Sequence, residues 1–269
     1  MSLKFLLKFC PTNLGFKTIR HITKSQEVNN AIDNNLPVLA LESTIITHGM
    51  PYPDNLKFAV KAEDTCRKLG VAPATIALLD GCIYVGLTFE QLSFICRNKN
   101  NRKISRRDLG LAITDRWSGG TTVSATMQVS YNVGIRVFST GGVGGIHRGL
   151  NKSFDISQDL VSLKETPMIV VSSGAKAILD IEKTVENLET SGVIVLGYGT
   201  NCFSAFYSRE TDFKIQRVNS VEKIVKTFKN HLSLGLSSSV LVSNPIPKKH
   251  NIPSKKTEKI IEKALSEAS

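Results

Sequence analysis

Lys176 is the residue whose sequence context most favours chemistry. It follows the apolar run Met168–Val171 and the small residues Ser172–Ala175, and sites in α/β proteins cluster at the carboxyl ends of such strands. We predict a helix over Lys176–Glu189, so the lysine would lie in its first turn, where the helix dipole disfavours a cation. This position favours a neutral amine that acts as a nucleophile, and a solvated surface lysine is the alternative.

Glu42 is the candidate general acid. It ends the apolar strand predicted over Pro37–Leu41 and is followed closely by Ile45 and Ile46. Partial desolvation at this position favours the protonated carboxyl group that a general acid needs. A structural ion pair with a nearby cation explains the residue equally well. His48, ahead of a Gly-x-Pro turn, is interpreted as a loop histidine.

A candidate anion site lies further along the chain. The cations Lys103, Arg106 and Arg107 precede the segment Gly119–Thr122, which is predicted to open a helix over Thr122–Val133. Free backbone N–H groups at a helix start, together with hydroxyl groups, can bind phosphate. The alternative is a solvated basic face, because the segment does not match a standard phosphate loop.

The glycine-rich segment Thr140–Gly149 follows a strand predicted over Ile135–Ser139. It does not fit the dinucleotide fingerprint GxGxxG. Four glycines within positions 141–145 predict a backbone that approaches a ligand closely, whereas a tight turn alone needs fewer of them.

Asp155 and Asp159 have the spacing of neighbours on one face of a helix. Two like charges four residues apart are unfavourable there, and a divalent cation bound through carboxylate and water oxygens would relieve the repulsion. An ordinary helix cap formed by Asp155 is the alternative explanation.

The elements that would position these residues alternate along the chain. Short Val/Ile-rich runs without polar alternation are typical of strands covered on both faces, and amphipathic stretches separate them, which predicts a single α/β layered domain. The other strands are predicted over Ala74–Leu79, Ile83–Leu87, Met168–Ser172, Val193–Leu196 and Val240–Val242. The other helices are predicted over Asn55–Leu69, Val221–Leu234 and Ser254–Ser266.

Composition excludes several classes of protein. The chain has 269 residues, of which 41% are hydrophobic and 21% charged, as in ordinary globular proteins. No apolar run approaches the roughly 18 residues that span a bilayer, so no membrane partner is expected. Much of the formal net charge of +11 lies in residues 1–26 and 248–269, so nucleic-acid binding by the central part is not expected either. The five cysteines include no CxxC pair, which argues against a disulfide framework or a zinc site.

Residues 1–26 combine leucine and phenylalanine with spaced lysine and arginine and contain no acidic residue. This composition is typical of a mitochondrial transit peptide, and a disordered basic tail is the alternative. We therefore expect a mitochondrial protein, with the cytoplasm as the alternative location. The domain itself is predicted over 27–247, followed by a basic linker and a terminal helix over 248–269.

Taken together, these motifs resemble the pseudouridine-5'-phosphate glycosidase family, also called indigoidine synthase A-like. The resemblance rests on ALESTIITHGMPYP, KISRRD, GGTTVSATM, STGGVGGIHRG, FDIS-x-DL, SSGAKAILD and VLGYGT, in this order between Leu36 and Pro247. It implies a three-layer α/β/α sandwich with a mostly parallel mixed central sheet. It also implies a homotrimer that binds manganese and reversibly cleaves pseudouridine 5'-phosphate to uracil and ribose 5-phosphate.

The resemblance also implies roles for individual residues. Lys176 matches the nucleophile that forms a Schiff base with C1 of the opened ribose, Glu42 the proton donor and Asp155 the manganese ligand. The positions that hold substrate and phosphate are matched by Lys103, Val123, Ser157, Gln158 and Asp159. Many relatives look to have a small residue where this chain has Gln158.

The carboxyl-terminal region departs from the family pattern. Relatives continue past Asn244–Pro247 with a TPFLL-like stretch, whereas a lysine-rich segment follows here. The resemblance therefore implies that part of the family's carboxyl-terminal region is missing. A catalytically impaired homologue that binds a sugar phosphate or a partner subunit is the alternative function.

Overall fold

Residues 21–268 are described by a computed structural model. In it the chain divides into two units, Met1–Ser139 and Thr140–Ser269, so the division falls inside the domain predicted over 27–247. Each unit contains both strands and helices.

The first unit is built on a mixed sheet. Its strands are β1 (Ile22–Lys24), β2 (Val38–Leu41), β3 (Ala72–Leu79), β4 (Cys82–Val85), β5 (Arg102–Ile104), β6 (Gly119–Thr121) and β7 (Val137–Ser139). The order β1-β4-β3-β2-β7 runs across the sheet, and β6 pairs with both β3 and β5. β2 lies parallel to β3 and β7, and β1 lies parallel to β4, whereas β3 is antiparallel to β4 and β6.

The helices of the first unit lie between its strands in sequence. They are α1 (Gln26–Asp33), α2 (Asp54–Lys68), α3 (Phe89–Arg97), α4 (Leu109–Thr114) and α5 (Val123–Asn132), with a π-helical turn over Ile45–Gly49 and a 3-10 turn over Arg106–Asp108. Thr88 and Gln91 form a reciprocal capping box at the start of α3. Apolar residues of α2, α3 and β3 pack in one cluster around Ile46 and Ile95, which anchors the segment after Glu42.

Four strands of the second unit pair in parallel, in the order β9-β13-β11-β12. These strands are β9 (Ile169–Ser172), β11 (Ile194–Tyr198), β12 (Gln216–Val218) and β13 (Val240–Ser243), and a separate antiparallel pair joins β8 (Ile146–His147) to β10 (Leu179–Asp180). The helices are α6 (Leu150–Ser153), α7 (Gln158–Glu165), α8 (Ile181–Thr190), α9 (Val221–Ser233) and α10 (Ser254–Ala268), with a 3-10 turn over Lys248–His250.

Helix α9 illustrates why these segments are helical. Ser220 caps its amino end by accepting a hydrogen bond from the backbone N–H of Lys223 at 3.2 Å. Its buried residues recur at helical spacing and face the sheet side: Val221, Ile224, Val225, Phe228 and His231.

The sequence locates most of these elements. Every predicted strand overlaps an observed one, and most strand pairs are parallel, so the predicted α/β class is confirmed. The prediction of a helix over Lys176–Glu189 is wrong at its start, because α8 begins only at Ile181. Leu179 and Asp180 are extended in β10, where they pair with β8, and an extended backbone cannot continue a helix.

Residues near both ends of the described chain pair with other parts of the protein. The first twenty residues of the predicted targeting segment 1–26 lie outside the described residues, but Ile22–Lys24 form β1 and Ser25 caps α1. At the other end, the segment before α10 is hydrogen-bonded to the loop 207–209, through Ile252 N to Tyr207 O and Arg209 N to Asn251 Oδ1, both 2.9 Å. Within residues 21–268, no helix has the length and hydropathy to cross a membrane.

Candidate functional site

Glu42 lies half-buried at the carboxyl end of β2 in the first unit. The next residue, Ser43, is fully buried and fixes this end of the strand. Its hydroxyl donates to Ile76 O at 2.5 Å and accepts a hydrogen bond from Thr121 N at 2.9 Å. Glu42 is therefore held beside the end of β6.

Lys103 and Val123 also lie next to β6, Lys103 on β5 and Val123 at the start of α5. Lys103 is exposed and pairs in register with Gly120 of β6. Thr122 donates its backbone N–H to Ile104 O at 2.9 Å, and Val123, fully buried, is the first residue of α5. The backbone of the first unit thus brings Glu42, Lys103 and the amino end of α5 together around β6, and an ammonium group with a helix start is a suitable setting for an anion.

Asp108 stabilises the turn after Lys103. Its Oδ2 accepts hydrogen bonds from the amide and the hydroxyl of Ser105 at 2.9 and 2.6 Å. Burial opposes ionisation of Asp108, but the bonds from Ser105 and the charge of Arg107 outweigh it, so the pKa of Asp108 lies below its ordinary value.

Replacing Asp108 by asparagine is expected to lower stability by about 0.5–1 kcal/mol at pH 7, since the side chain stays partly solvated. Because the folded-state pKa is lowered, the carboxylate stabilises the protein fully above the unfolded value of about 4, and this contribution is lost as the pH falls through the folded value. Urea unfolding of wild type and Asp108→Asn between pH 7 and pH 3 measures the difference. A difference that grows towards acid pH would contradict this assignment.

Lys176 lies in the second unit, in a loop four residues after β9. Its side chain is half-buried, and its backbone N–H donates to Val143 O at 3.0 Å. Val143 N in turn donates to Gly174 O at 3.0 Å, so the lysine is held against the glycine-rich turn. The predicted helix dipole plays no part at this position, because Asp180, not Lys176, precedes the first turn of α8.

The glycine-rich turn is packed against the protein's own polar side chains. Gly144 N donates to Oδ2 of the buried Asp159 at 2.8 Å, and a Cβ on Gly144 would lie 2.6 Å from that oxygen. Ile146 N donates to Oγ1 of the buried Thr184 at 2.9 Å, and a Cβ on Gly145 would overlap Thr184. Glycine is therefore needed at 144 and 145 because side chains of α7 and α8 pack closely against the backbone there.

The predicted helical pairing of Asp155 with Asp159 is wrong. Ser157 is the N-cap, and its hydroxyl accepts from Asp159 N at 3.2 Å, so α7 begins at Gln158. Asp155 lies before the helix and is exposed, with its Oδ2 3.7 Å from His147 Nδ1. Asp155 is therefore neither on the helical face nor the cap, and Ser157 and Gln158 lie half-buried between the two carboxylates in sequence.

Gly174 is expected to tolerate no side chain. Its φ is +89°, and a Cβ would overlap the carbonyl oxygen of Ser204. Gly174→Ala should destabilise the protein by more than about 4 kcal/mol or prevent folding, because backbone would have to move.

Gly192→Ala is the matched control for this substitution. Gly192 also has a positive φ, +69°, but a Cβ there meets nothing within 4 Å, so a cost of about 1–2 kcal/mol is expected. Thermal unfolding of both variants compares the two positions, and equal losses would show that the contact with Ser204 is unimportant.

Sequence reasoning missed the residues that hold these groups in place. Ser43 and Thr121 tie β2 to β6, and Thr184 fixes the glycine-rich turn. Thr121 and Thr184 lie inside ordinary elements and Ser43 in the bend after β2, so no local pattern distinguishes these hydroxyl residues. Only the hydrogen bonds of the folded chain show that these residues position their neighbours.

The chain is an α/β protein in which two candidate residues, Glu42 after β2 and Lys176 after β9, follow the carboxyl ends of strands. In the second unit the backbone of Lys176 is bonded to the glycine-rich turn, and in the first unit Glu42 and the amino end of α5 lie beside β6. The chain belongs to the indigoidine synthase A-like family, because the family model described as "Indigoidine synthase A like protein" matches residues 27–269.

Individual relatives agree with this membership. The chain is 50% identical over 228 residues to a pseudouridine-5'-phosphate glycosidase from Dinoroseobacter shibae, covering 84% of this chain and 75% of that protein. It is 49% identical over 242 residues to one from Mesorhizobium japonicum, covering 90% and 79%.

Solved structures share the fold. A prealnumycin C-glycosynthase in complex with ribulose 5-phosphate has a TM-score of 0.87 and 36% identity, covering 93% of this chain and 82% of that chain. An indigoidine synthase A-like protein from Thermotoga maritima has a TM-score of 0.84 and 31% identity, covering 93% and 83%. The predicted α/β/α class, with helices on both sides of a mostly parallel sheet, is confirmed.

Proposed function

We propose that this chain is a pseudouridine-5'-phosphate glycosidase, which reversibly cleaves its substrate to uracil and ribose 5-phosphate. Relatives with that name are about half identical to it over most of its length. The observation that carries the proposal is the placement of Lys176 after β9, with its backbone fixed to the glycine-rich turn.

The chemistry explains why a lysine is needed. Uracil is bonded to ribose through carbon, so direct departure of the base would leave a poorly stabilised carbanion. The Lys176 amine adds to C1 as the bond from C1 to the ring oxygen opens, and the proton that the nitrogen loses goes to that oxygen. The nitrogen lone pair then forms a C1=N iminium while the bond from C1 to uracil C5 breaks, and the electron pair of that bond goes to C5.

Glu42 is assigned to the proton transfer. As the electron pair reaches uracil C5, a carboxylic acid must deliver a proton to that carbon. Water then hydrolyses the iminium, which releases ribose 5-phosphate and restores the amine of Lys176. In the reverse direction the same carboxylate removes the proton from C5.

The remaining predicted residues are assigned to binding. Lys103 and the amino end of α5 at Val123 supply the positive charge and amides that suit a phosphate. Ser157, Gln158 and Asp159 are assigned to the sugar. Since Asp159 also accepts the amide of Gly144 at 2.8 Å, it would bind substrate and hold the glycine-rich turn at once.

A manganese ion at Asp155 is part of the proposal. Carboxylate and water oxygens suit Mn²⁺, and a hard ion can be held by one or two protein groups with water completing its shell. Asp155 is exposed with His147 3.7 Å away, which fits such a site, although no group of three His, Cys, Asp or Glu side chains among residues 21–268 is placed to hold a metal. A bound ion would supply polarisation of a water molecule.

Two further proposals concern the oligomeric state and the cellular location. A homotrimer is supported by the family resemblance, and light scattering of the purified protein tests it. A mitochondrial location is supported by the basic, acid-free composition of residues 1–26. A fluorescent fusion of the whole chain, compared with one starting at Glu27, tests that location.

The proposed function is tested by measuring uracil release from pseudouridine 5'-phosphate, with manganese present and after chelation. Turnover that requires the phosphate and falls on chelation is expected. If ribose 5-phosphate binds but no uracil is released under any condition, the impaired homologue is the correct description. If neither ligand binds, the proposed function is wrong.

A further inference from the structure

Phe206 has an unusual backbone conformation for a bulky residue. Its φ is +54°, in the left-handed region that favours glycine. Its N–H donates to Ser173 O at 3.0 Å, and the adjacent Ala205 and Ser208 exchange backbone hydrogen bonds of 2.9 and 3.0 Å. Such strain persists only where the surrounding structure fixes it, and it concentrates at functional sites.

The aromatic ring of Phe206 lies on a surface made of glycine backbone. A Cβ on Gly142 would come within 2.6 Å of ring atom Cδ2, and one on Gly141 within 3.3 Å of Cε2. The ring of Tyr207 meets it edge to face, with 4.7 Å between the ring centroids. Phe206 nevertheless stays half-exposed, so the glycines make room for a flat apolar group that still reaches solvent.

Both segments that contact Phe206 are directly connected to Lys176, one along the chain and the other by a hydrogen bond. Ser173, which accepts the amide of Phe206, lies three residues before the lysine. Gly142 is followed by Val143, whose carbonyl oxygen accepts the N–H of Lys176 at 3.0 Å. Because three residues of extended chain span at most about 10 Å, the amide of Phe206 lies close to the backbone of Lys176.

We propose that Phe206 stacks on the planar pyrimidine ring of the substrate. This inference rests on the proposed function, since a sugar bound through C1 to Lys176 carries its base on that same carbon. A phenyl ring offers no hydrogen bond to a sugar or a phosphate, whereas every nucleobase presents a flat face that stacks on an aromatic side chain. The proposal adds a base-recognition residue to the site.

The test distinguishes binding of the base from binding of the sugar phosphate. Phe206→Leu keeps apolar volume but removes the flat face, and Phe206→Trp keeps a flat face. For each, kcat and KM are measured with pseudouridine 5'-phosphate. The concentration of ribose 5-phosphate that gives half-maximal borohydride trapping on Lys176 is measured in parallel. Tyr207→Leu, at the exposed neighbouring residue, is the control for general loosening of the loop.

Phe206→Leu should raise KM for pseudouridine 5'-phosphate by about 5- to 100-fold. Half-maximal trapping of ribose 5-phosphate should change less than about two-fold, and Tyr207→Leu should change neither value. In Phe206→Trp, uracil but not ribose 5-phosphate should quench the new fluorescence, measured against the wild-type signal of Trp117. This second variant gives a result even if the leucine variant does not fold.

Three outcomes would overturn the proposal. Equal losses for both ligands, or no loss for either, would make Phe206 a scaffold residue, and absence of uracil quenching in a folded Phe206→Trp variant would lead to the same conclusion. If wild-type protein traps no ribose 5-phosphate at all, the proposed function itself fails, and the stacking role falls with it.

Discussion

Replacing Lys176 by arginine is expected to reduce uracil release by at least about 10⁴-fold and to abolish borohydride trapping of ribose 5-phosphate. A guanidinium group keeps the positive charge but stays protonated, so it cannot add to C1 and form an imine. Folding should be unaffected, because the bond between the backbone N–H of residue 176 and Val143 O involves no side chain. Mass spectrometry of the trapped protein and the uracil assay measure both effects.

Lys183→Arg is the matched control for this prediction. Lys183 lies in the same unit, on α8, where its exposed ammonium group pairs with Asp180 at 2.5 Å. Turnover and trapping should stay near wild type in this variant. The proposed mechanism would be contradicted if the sugar were trapped on another lysine or if Lys176→Arg retained appreciable turnover.

Replacing Glu42 by glutamine is expected to lower kcat for uracil release by about 10²- to 10⁴-fold, the usual contribution of a general acid. The amide keeps the shape of the side chain but cannot deliver a proton to uracil C5. Borohydride trapping of ribose 5-phosphate on Lys176 should persist, because forming that imine does not involve C5. The variant should therefore separate capture of the sugar from transfer of the proton.

Glu90→Gln is the control for Glu42→Gln. Glu90 is an exposed residue in the first turn of α3, and its loss should leave kcat unchanged. If Glu42→Gln retains wild-type turnover, another group supplies the proton. If it loses trapping as well, Glu42 acts before bond cleavage and its assigned role is wrong.

The strands were predictable because their signal is local. Buried parallel strands such as β9 and β13 need continuous apolar residues, and these runs are visible without knowing their partners. The rule that α/β sites gather at the carboxyl ends of strands then singles out Glu42 and Lys176.

The predictions that failed depend on distant partners. Lys176 looks like the start of a helix until β10 pairs with β8 and keeps residues 179–180 extended. Asp155 looks like a helix cap until Ser157 takes that position. In both cases a tertiary contact or a competing cap decided the outcome, and spacing alone carries no information about either.

The dual attachment of Asp159 and Thr184 to the glycine-rich turn bears on redesign. A side chain at Gly144 or Gly145 would displace these helix side chains, so substitutions would have to be introduced in compensating pairs. Laboratory evolution by single substitutions should therefore leave Gly144 and Gly145 almost unchanged. Altered selectivity should arise instead at positions where no helix side chain packs against the backbone.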